Sequence, residues 1–360
     1  MSFEVRTYRP GDEKKIVELL ELVFKGWPHF DLSCSPIEHW IWKYQDNLLK
    51  TKMVLVAESG NEIIGCNHAI FERIKVGGVT LLCRQGVDSA VHPNFRGMGV
   101  YSKMSELKSR LDSEIDLGLH YAVSTNPIIA KASERKKDHM LFPHSIVELI
   151  RIRDIDLHLA KNDVQKALLK KYGFHAVKAL NILNKKALLN GFKFSISEMN
   201  RFDEQIDVFW GKIKDSYSFI AERSRNYLNW RFCDPRGGRY IVKQIEDEEG
   251  LIGYIVLRIN SYKADYPIGY IVDLCTLPDR LDCAEALILD SVNYFDDHGV
   301  NLISYWIVKN HPYERLLKRH GFLDSRKDNR VSAAPMKELD NFSSASADRF
   351  LFQYGDSDWI

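Results

Sequence analysis

A glycine-rich turn is the part of this sequence whose residue types and spacing point most directly to chemistry. Residues 92–101 read HPNFRGMGVY and lie between a β-rich run and an amphipathic run. A turn between a strand and a helix directs several backbone N–H groups at one point, in front of the positive end of the helix dipole. Gly97 and Gly99 keep Cβ atoms away from that point. The turn is therefore predicted to bind an anionic group, and it is not a Walker loop because no Gly-Lys-Ser/Thr follows.

The elements around this turn follow from the hydrophobic pattern. Apolar residues recur at spacings of three and four from Val100 to Ile115, which predicts that a helix over 101–115 packs on a sheet. Further helices are predicted over 12–24 and 128–137. Strands are predicted over 3–9, 53–58, 62–74, 80–91 and 119–124. Turns at 59–61 and 77–78 are predicted to join neighbouring strands as hairpins.

The chain contains a diverged internal repeat. The run WKYQD over 42–46 returns as WRFCD over 230–234, and IIG over 63–65 returns as LIG over 251–253 at the same offset. Two copies of one plan predict two domains of one fold. We predict an α/β (α+β) chain of two tandem domains, each a mixed, mostly antiparallel twisted sheet flanked by helices.

The predicted boundaries follow from the repeat and from a change in composition between its copies. The first domain is expected over 1–155 and the second over 196–325, with a helical connector over 156–195. The tail over 326–360 contains the run FLFQY at 350–354. Because exposure of these side chains would leave a sizeable apolar patch, the tail is expected to dock on the body.

The repeat also separates positions that hold the fold from positions that carry function. Aligning Pro93 with Pro278 places LDCA of 281–284 opposite RGMG of 96–99. Asp282 would repel an anion, and without glycines the backbone cannot approach one closely. The anion site is therefore predicted in the first copy.

Composition limits the class of protein. The 360 residues include 50 Lys and Arg and 49 Asp and Glu, giving a net charge of +1, so neither nucleic acid nor a membrane surface is expected as a partner. The six cysteines show no pairing or ligand spacing, which favours reduced thiols and no metal site. No apolar run approaches the roughly 20 residues of a membrane helix, and the N-terminus shows no signal core. A cytoplasmic location is expected.

The turn and its flanking elements resemble motif A of the GNAT-type acyltransferases. That loop reads Arg or Gln, two residues, Gly, one residue, then Gly or Ala; here it reads RGMGVY over 96–101, with Tyr101 in place of the small residue. The resemblance implies a tandem GNAT-like chain with motif A intact in its N-terminal copy. It also implies that acyl-CoA, taken as acetyl-CoA, serves as a co-substrate, with no permanently bound cofactor.

The resemblance assigns the acyl-CoA contacts residue by residue. Backbone amides of the loop would hold the pyrophosphate, while Ala90 and Val91 would run beside the pantetheine arm. The amide of Asn126 could contact the pantetheine, or Asn126 could be a helix N-cap before Pro127. The loop residues concerned are Arg96, Gly97, Met98, Gly99, Val100 and Tyr101.

Acyl transfer to an amine needs a base, a donor for the oxyanion and an acid for the thiolate. The resemblance places a backbone N–H beside Val91 at the oxyanion. Asp88 is a candidate base, but its repetition as Asp273 gives a structural role equal standing. His68 is a further candidate, as is His120, each with a structural alternative. Ser133 stands where family members carry a tyrosine acid, so it could orient a water or be a plain surface residue.

The acceptor wall is expected in segments that the second copy does not repeat. Trp27, His29 and Trp40 lie in the region that covers the acceptor in this superfamily, with a core role as the alternative for Trp40. Asp356 and Asp358 of the docked tail could receive an ammonium group.

Three functions fit the sequence. The first is an N-acyltransferase, in its commonest form an N-acetyltransferase, acting on a primary amine of a small molecule such as an amino sugar by direct attack in a ternary complex. The second is an aminoacyl or peptide-forming transferase of tandem GNAT type, which an extended groove between the domains would favour. The third is a noncatalytic acyl-CoA-binding module.

Overall fold

A computed structural model describes residues 2–124, 140–161, 194–261, 265–327, 330–339, 342 and 344–358 of the chain. Two large sheets form its framework. The first sheet contains β1 (Glu4–Thr7), β2 (Met53–Ser59), β3 (Glu62–Val76), β4 (Val79–Val91), β5 (Leu119–Ser124), β6 (Met140–Leu141), β9 (Phe219–Ala221) and β15 (Arg330–Pro335). Its order is β1-β2-β3-β4-β5-β15-β6, with β9 paired to β3.

The second sheet repeats this plan with residues from later in the chain. Its strands are β7 (Ile146–Ile152), β8 (Ser195–Met199), β10 (Ile241–Asp247), β11 (Gly250–Asn260), β12 (Ile268–Thr276), β13 (Leu302–Val308) and β14 (Leu323–Asp324), in the order β14-β7-β13-β12-β11-β10-β8. Among the described strand pairs, β4–β5 and β12–β13 are parallel and the others antiparallel. The predicted fold class, mixed and mostly antiparallel sheets flanked by helices, is confirmed.

Helices cover both sheets. Three of the described helices lie in the first half: α1 (Glu13–Phe24), α2 (Pro36–Tyr44) and α3 (Val100–Asp112). There α3 packs on β1, β2 and β3, and α1 packs on β3 and β4. Ser35 begins α2 with a reciprocal capping box to Glu38, and Pro36 occupies the first helical position. The other described helices are α4 (Ile155–Lys161), α5 (Gln205–Ile213), α6 (Arg225–Leu228), α7 (Leu281–Asp297) and α8 (Pro312–Arg319).

The two halves exchange strands, which the sequence did not reveal. β7 falls in the stretch predicted as the first domain, yet it pairs with β13 from Ile146–Val308 to Ile152–Leu302. In return β15, from the predicted tail, pairs with β5. The boundaries at 155, 195 and 325 stay a prediction, but each sheet contains a strand that the prediction assigned to another segment.

The repeated tryptophans meet where the halves join. Trp42 and Trp230 stack with their ring centroids 5.0 Å apart, and the Trp42 indole N–H donates to the carbonyl of Trp230. The tail also joins the halves, because Phe350 stacks on Phe219 and both lie in the main core with Phe352. The strand exchange, the tryptophan pair and the tail therefore make one continuous interior.

Candidate active site

The glycine-rich turn forms an open cradle between β4 and α3. Gly97 and Gly99 both have φ of 79°, the left-handed region that favours glycine, and no atom lies within 4 Å of where a Cβ would stand at either. About 640 Å³ of space lies over the turn. The lining residues are Val91, Phe95, Arg96, Gly97, Gly99, Val100, Tyr101 and Ser102. This is the shape that an anion in front of a helix N-terminus requires.

Some of the predicted loop residues are buried under the turn, and others are exposed to solvent. Val100 is buried and packs with Met104 in the core under the turn, so it fixes the start of α3. The Tyr101 side chain is exposed, as is that of Met98. The Arg96 Nε donates to the Val91 carbonyl at 3.4 Å, which ties the turn to the end of β4. The part of these residues in binding acyl-CoA stays a prediction.

A gap opens between β4 and β5 on the way from the cradle into the protein. The two strands pair over Cys83–Leu119, Arg84–His120 and Gln85–Tyr121, and β4 then runs on to Val91 paired with β3 but not with β5. The gap therefore begins beside Gln85. Ala90 and Val91, the predicted pantetheine contacts, lie on its β4 side.

The backbone N–H of Val91 points into this gap. Val91 lies opposite Gly65 of β3, and the next residue, His92, donates its N–H to the Ile64 carbonyl at 2.8 Å. In an antiparallel ladder this makes Val91 a member of a non-hydrogen-bonded pair, whose N–H and C=O point away from the partner strand. The Arg96 contact to the Val91 carbonyl agrees with that direction.

The corresponding gap of the second half is filled. β12 and β13 pair from Ile268–Leu302 to Ile271–Tyr305 and then separate. The tail enters there: the Leu274 N–H donates to Gln353 Oε1 at 2.9 Å, and Gln353 Nε2 donates to the Leu274 carbonyl at 3.1 Å.

The counterpart of Val91 in the repeat is Thr276, and its backbone N–H already donates to the Tyr313 hydroxyl at 3.2 Å. The backbone groups that a pantetheine arm would use in the second half are therefore occupied. This supports a single acyl-CoA site in each chain.

Asp88 is held in a buried network. Its φ of 42° bends β4 at a bulge opposite Cys66 and His68. Trp27 Nε1 donates to it at 3.0 Å, Lys43 Nζ at 2.8 Å, and Tyr44 adds its hydroxyl. Burial, the largest single effect, would raise the pKa of Asp88, but the Lys43 charge and these hydrogen bonds hold the pKa below its ordinary value. An ionised carboxylate with this many donors is a poor proton acceptor, so the geometry favours the structural alternative.

His68 is likewise engaged at both nitrogens. Its Nε2 accepts from the Trp40 indole N–H at 3.0 Å, so its Nδ1 carries the hydrogen and donates to the Asp88 carbonyl at 2.9 Å. Burial lowers the pKa of His68 to about 4, which keeps the ring neutral. His120 lies half-buried on β5, with its Nε2 facing Gly86 where β4 and β5 separate. Ser133 and Asn126 lie outside the described residues.

The predicted acceptor residues do not gather at one wall. Trp40 is fully buried, packs on Tyr8 and Tyr44, and is a core residue. Trp27 is also buried and binds Asp88 through its indole N–H. His29 is exposed, and its carbonyl accepts from Asn260 across the two halves. The assignment of Trp27, His29 and Trp40 to the acceptor site stays a prediction. The contacts of Trp40 and Trp27 favour a structural role for both.

A cleft between the two halves brings together the polar groups that the sequence did not. We call it the central cleft. It is lined by Phe30, His39, Trp42, Lys43, Ile70, Glu72, Gln85, Tyr227, Trp230, Arg231, Gly237, Gly355, Asp356, Ser357 and Asp358. Since Gln85 also marks the start of the gap between β4 and β5, the cleft and the gap meet at that residue.

The carboxyl groups of the central cleft titrate abnormally. Burial raises the pKa of Glu72 to about 7 and that of Asp356 to about 6, although nearby Arg223 opposes both shifts. Burial also raises the pKa of Asp358, which binds Lys43 at 3.3 Å. His39 is kept neutral because burial lowers its pKa to about 3. Such shifts cluster at functional sites.

Sequence reasoning singled out Asp356 and Asp358 but missed Lys43, Glu72 and Gln85. Glu72 carried a usable signal, since it interrupts an apolar strand and the repeat offset pairs it with Asn260, so it belongs to one copy only. Lys43 lies in the repeated WKYQD run, and a repeated position favours a role in the fold. In the described part of the chain, no cluster of His, Cys, Asp and Glu could hold a metal ion, and no helix is long and apolar enough to cross a membrane.

A family model matches the N-terminal part of the chain. Residues 4–112 match the family model of the acetyltransferase (GNAT) domain, a span that includes the cradle. No curated protein sequence matches the chain significantly.

Solved structures match nearly the whole chain. A probable N-acyltransferase of Enterococcus faecalis V583 is 13% identical with a TM-score of 0.59, and covers 93% of this chain and 71% of its own. A GCN5-related N-acetyltransferase of Anabaena variabilis is 11% identical with a TM-score of 0.60, and the match covers 92% of this chain and 72% of that protein. The N-myristoyltransferase of Saccharomyces cerevisiae is 11% identical with a TM-score of 0.64, and the match covers 97% of this chain and 85% of that protein. At these identities the likeness shows the fold.

Proposed function

We propose that this chain, whose residues 4–112 match the family model of the acetyltransferase (GNAT) domain, moves an acyl group from acyl-CoA to a primary amine of a small molecule. One observation carries the proposal: the cradle, the gap and the inward N–H of Val91 follow one another along β4 in the copy that the family model matches. The second half offers no equivalent path because its tail fills the gap.

In this proposal the pyrophosphate of acyl-CoA lies on the turn over 96–101. The N–H groups of Arg96 and Met98 donate within the turn, to the carbonyls of Pro93 at 3.3 Å and Phe95 at 3.4 Å, so the other backbone N–H groups of the turn are the proposed donors. Two glycines in the left-handed region leave room for the phosphate oxygens, and the α3 dipole favours their charge. The pantetheine arm runs along β4 beside Ala90. This brings the thioester carbonyl to the Val91 N–H, which donates to the oxyanion as it forms.

The acceptor amine enters from the central cleft, which reaches the gap at Gln85. The attack is direct: the amine nitrogen bonds to the thioester carbon in a ternary complex, the C–S bond breaks, and the thiolate leaves with a proton. The proposed acceptor is a small amine such as an amino sugar, rather than the extended acceptor of a peptide-forming transferase. The acyl group is taken to be acetyl.

Thiol release from acetyl-CoA, measured against glucosamine, galactosamine and spermidine, tests the proposal. Release that depends on an amine and is lost in Gly99→Asp is expected. Coenzyme A binding without amine-dependent thiol release from any of the three would contradict it and favour a noncatalytic binding module. N-acylation of the consumed amine, seen by mass spectrometry, distinguishes transfer from hydrolysis.

A further inference from the structure

Two buried polar side chains face the central cleft without a full set of partners. Glu72 on β3 is 4% exposed and its Oε1 contacts the Tyr121 hydroxyl. Gln85 on β4 is 2% exposed, and its Nε2 has no hydrogen-bond partner among the described residues. Buried polar groups in native proteins are nearly always paired, so an unpaired amide that lines a cleft points to a ligand.

The strand register places these side chains beside each other. Ile70 lies opposite Gln85 across β3 and β4, and Glu72 follows Ile70 by two residues on the same face. Gln85 in turn lies opposite Tyr121 on β5, so Glu72, Gln85 and Tyr121 share one face. They lie where β4 and β5 separate, at the inner end of the gap assigned to pantetheine.

The Tyr121 hydroxyl has two acceptors for one hydrogen. It contacts Glu72 Oε1 and also the backbone carbonyl of Asp356 at 3.1 Å. When Glu72 is ionised, one of these two acceptors lacks a donor. When Glu72 is protonated, its carboxyl donates to Tyr121 and Tyr121 donates to Asp356. The cluster is therefore built to hold a proton on Glu72, in exchange with the cleft.

We propose that Glu72 accepts the proton of the acceptor amine and that Gln85 binds a hydroxyl or carbonyl group next to that amine. This inference rests on the proposed function and names a base beside the sequence-predicted candidates. Asp88 and His68 are saturated with hydrogen bonds, whereas Glu72 keeps an oxygen for the cleft.

The bound ammonium gives one proton to the Glu72 carboxylate, and the neutral amine attacks the thioester carbon. The N–C bond forms and the C–S bond breaks, with the electron pair leaving on sulfur. The second proton lost from nitrogen goes to the thiolate, and Glu72 returns its proton to solvent through the cleft.

The charged groups around Glu72 agree with this role. Burial raises the pKa of Glu72 to about 7, the Asp356 charge raises it further, and the Tyr121 hydrogen bond, Arg223 and Arg231 lower it. Tyr227 also faces the carboxyl, and its own pKa is raised well above the ordinary value. A base is most effective when its pKa lies near the operating pH.

The test compares Glu72→Gln with Glu62→Gln, the same substitution at an exposed position of the same strand. Acetyl-CoA turnover is measured with glucosamine and with spermidine from pH 5.5 to 8.5. In the unmodified chain kcat/KM should rise with pH and level off above about 7, as Glu72 loses its proton. Glu72→Gln should lower kcat by about 100-fold or more and remove this rise, while Glu62→Gln should change neither.

Further measurements separate this role from a structural one. Acetyl-CoA affinity by calorimetry should be unchanged in Glu72→Gln, and Glu72→Asp should keep a pH-dependent rise at a reduced kcat. Gln85→Ala should raise the KM for glucosamine about 10-fold with a smaller change in kcat, since it removes a ground-state contact.

The outcomes distinguish this inference from the function on which it rests. Without amine-dependent thiol release by the unmodified chain, the proposed function fails and the inference with it. An active chain whose Glu72→Gln variant keeps its rate and its pH rise overturns the inference alone. If Glu72→Gln does not fold, Glu72→Asp decides, since an unaltered rate and pH profile there would also overturn it.

Discussion

The cradle makes a quantitative prediction about coenzyme A binding. Gly99 has φ of 79°, and the space where its Cβ would stand is empty to 4 Å. Gly99→Ala therefore meets no clash and adds about 1–2 kcal/mol of backbone strain, most of it present with and without ligand. Gly99→Asp adds the same strain and a charge directed into the space over the turn.

The charge sets the size of the effect. A unit charge about 6 Å from one phosphate charge costs about 3 kcal/mol at an effective dielectric constant of about 20. Screening in an open pocket reduces this repulsion, and the second phosphate of a pyrophosphate adds to it. We expect Gly99→Asp to weaken coenzyme A binding by about 100-fold, and Gly99→Ala by about 5-fold or less.

Gly299 provides a matched control in the second half. It has φ of 73° and, like Gly99, no atom within 4 Å of the position of a Cβ. Gly299→Asp and Gly299→Ala thus repeat the strain and the charge away from the cradle. Calorimetry should show one site per chain and an unchanged Kd in both control variants. Equal weakening at Gly99 and Gly299, or two equivalent sites in the unmodified chain, would refute the assignment of the cradle.

Three other variants test the buried networks. Burial raises the pKa of Glu72 to about 7 and that of Asp356 to about 6, so their contribution to stability is full at low pH and is lost as pH rises towards 7. Glu72→Gln should remove up to about 3 kcal/mol of that loss. The measured sign would be a smaller fall in Tm between pH 5 and 8. Gln353→Ala should lower the free energy of unfolding by about 3 kcal/mol by leaving the Leu274 backbone unpaired, with one coenzyme A site retained; an unchanged denaturation midpoint would contradict this. Asp88→Asn should destabilise the chain by about 3–5 kcal/mol because buried Lys43 loses its nearer partner; a stable variant with a lower rate and a changed pH profile would instead favour Asp88 as the base.

The fold of each half could be predicted from the sequence because its signals are local. Alternation over 53–91 and helical spacing over 100–112 fix strands and a helix through contacts between near neighbours. The cradle was predictable for the same reason, since a turn and the helix after it lie within one stretch of ten residues. The repeat then showed that the second copy had lost its glycines.

The strand exchange could not be predicted in this way. β7 and β15 pair with strands of the opposite half, and nothing in their own residues marks which sheet they join. β7 reads IVELIRI and β15 reads RVSAAP, and neither pattern specifies a partner strand. The choice depends on the long-range packing of the whole core, which a pattern of neighbours does not encode.

The sequence by itself determined the fold class, the repeat and the anion-binding turn, because each depends on residues close together in the chain. Only the tertiary structure decided which polar groups share a cleft. Glu72 meets Asp356 across 284 positions through Tyr121, and Asp88 meets Lys43 and Trp27 inside the core. The pKa of a carboxyl depends on burial and on the charges that folding brings to it. A residue type alone therefore could not show that the pKa of Asp88 is lowered while that of Glu72 is raised.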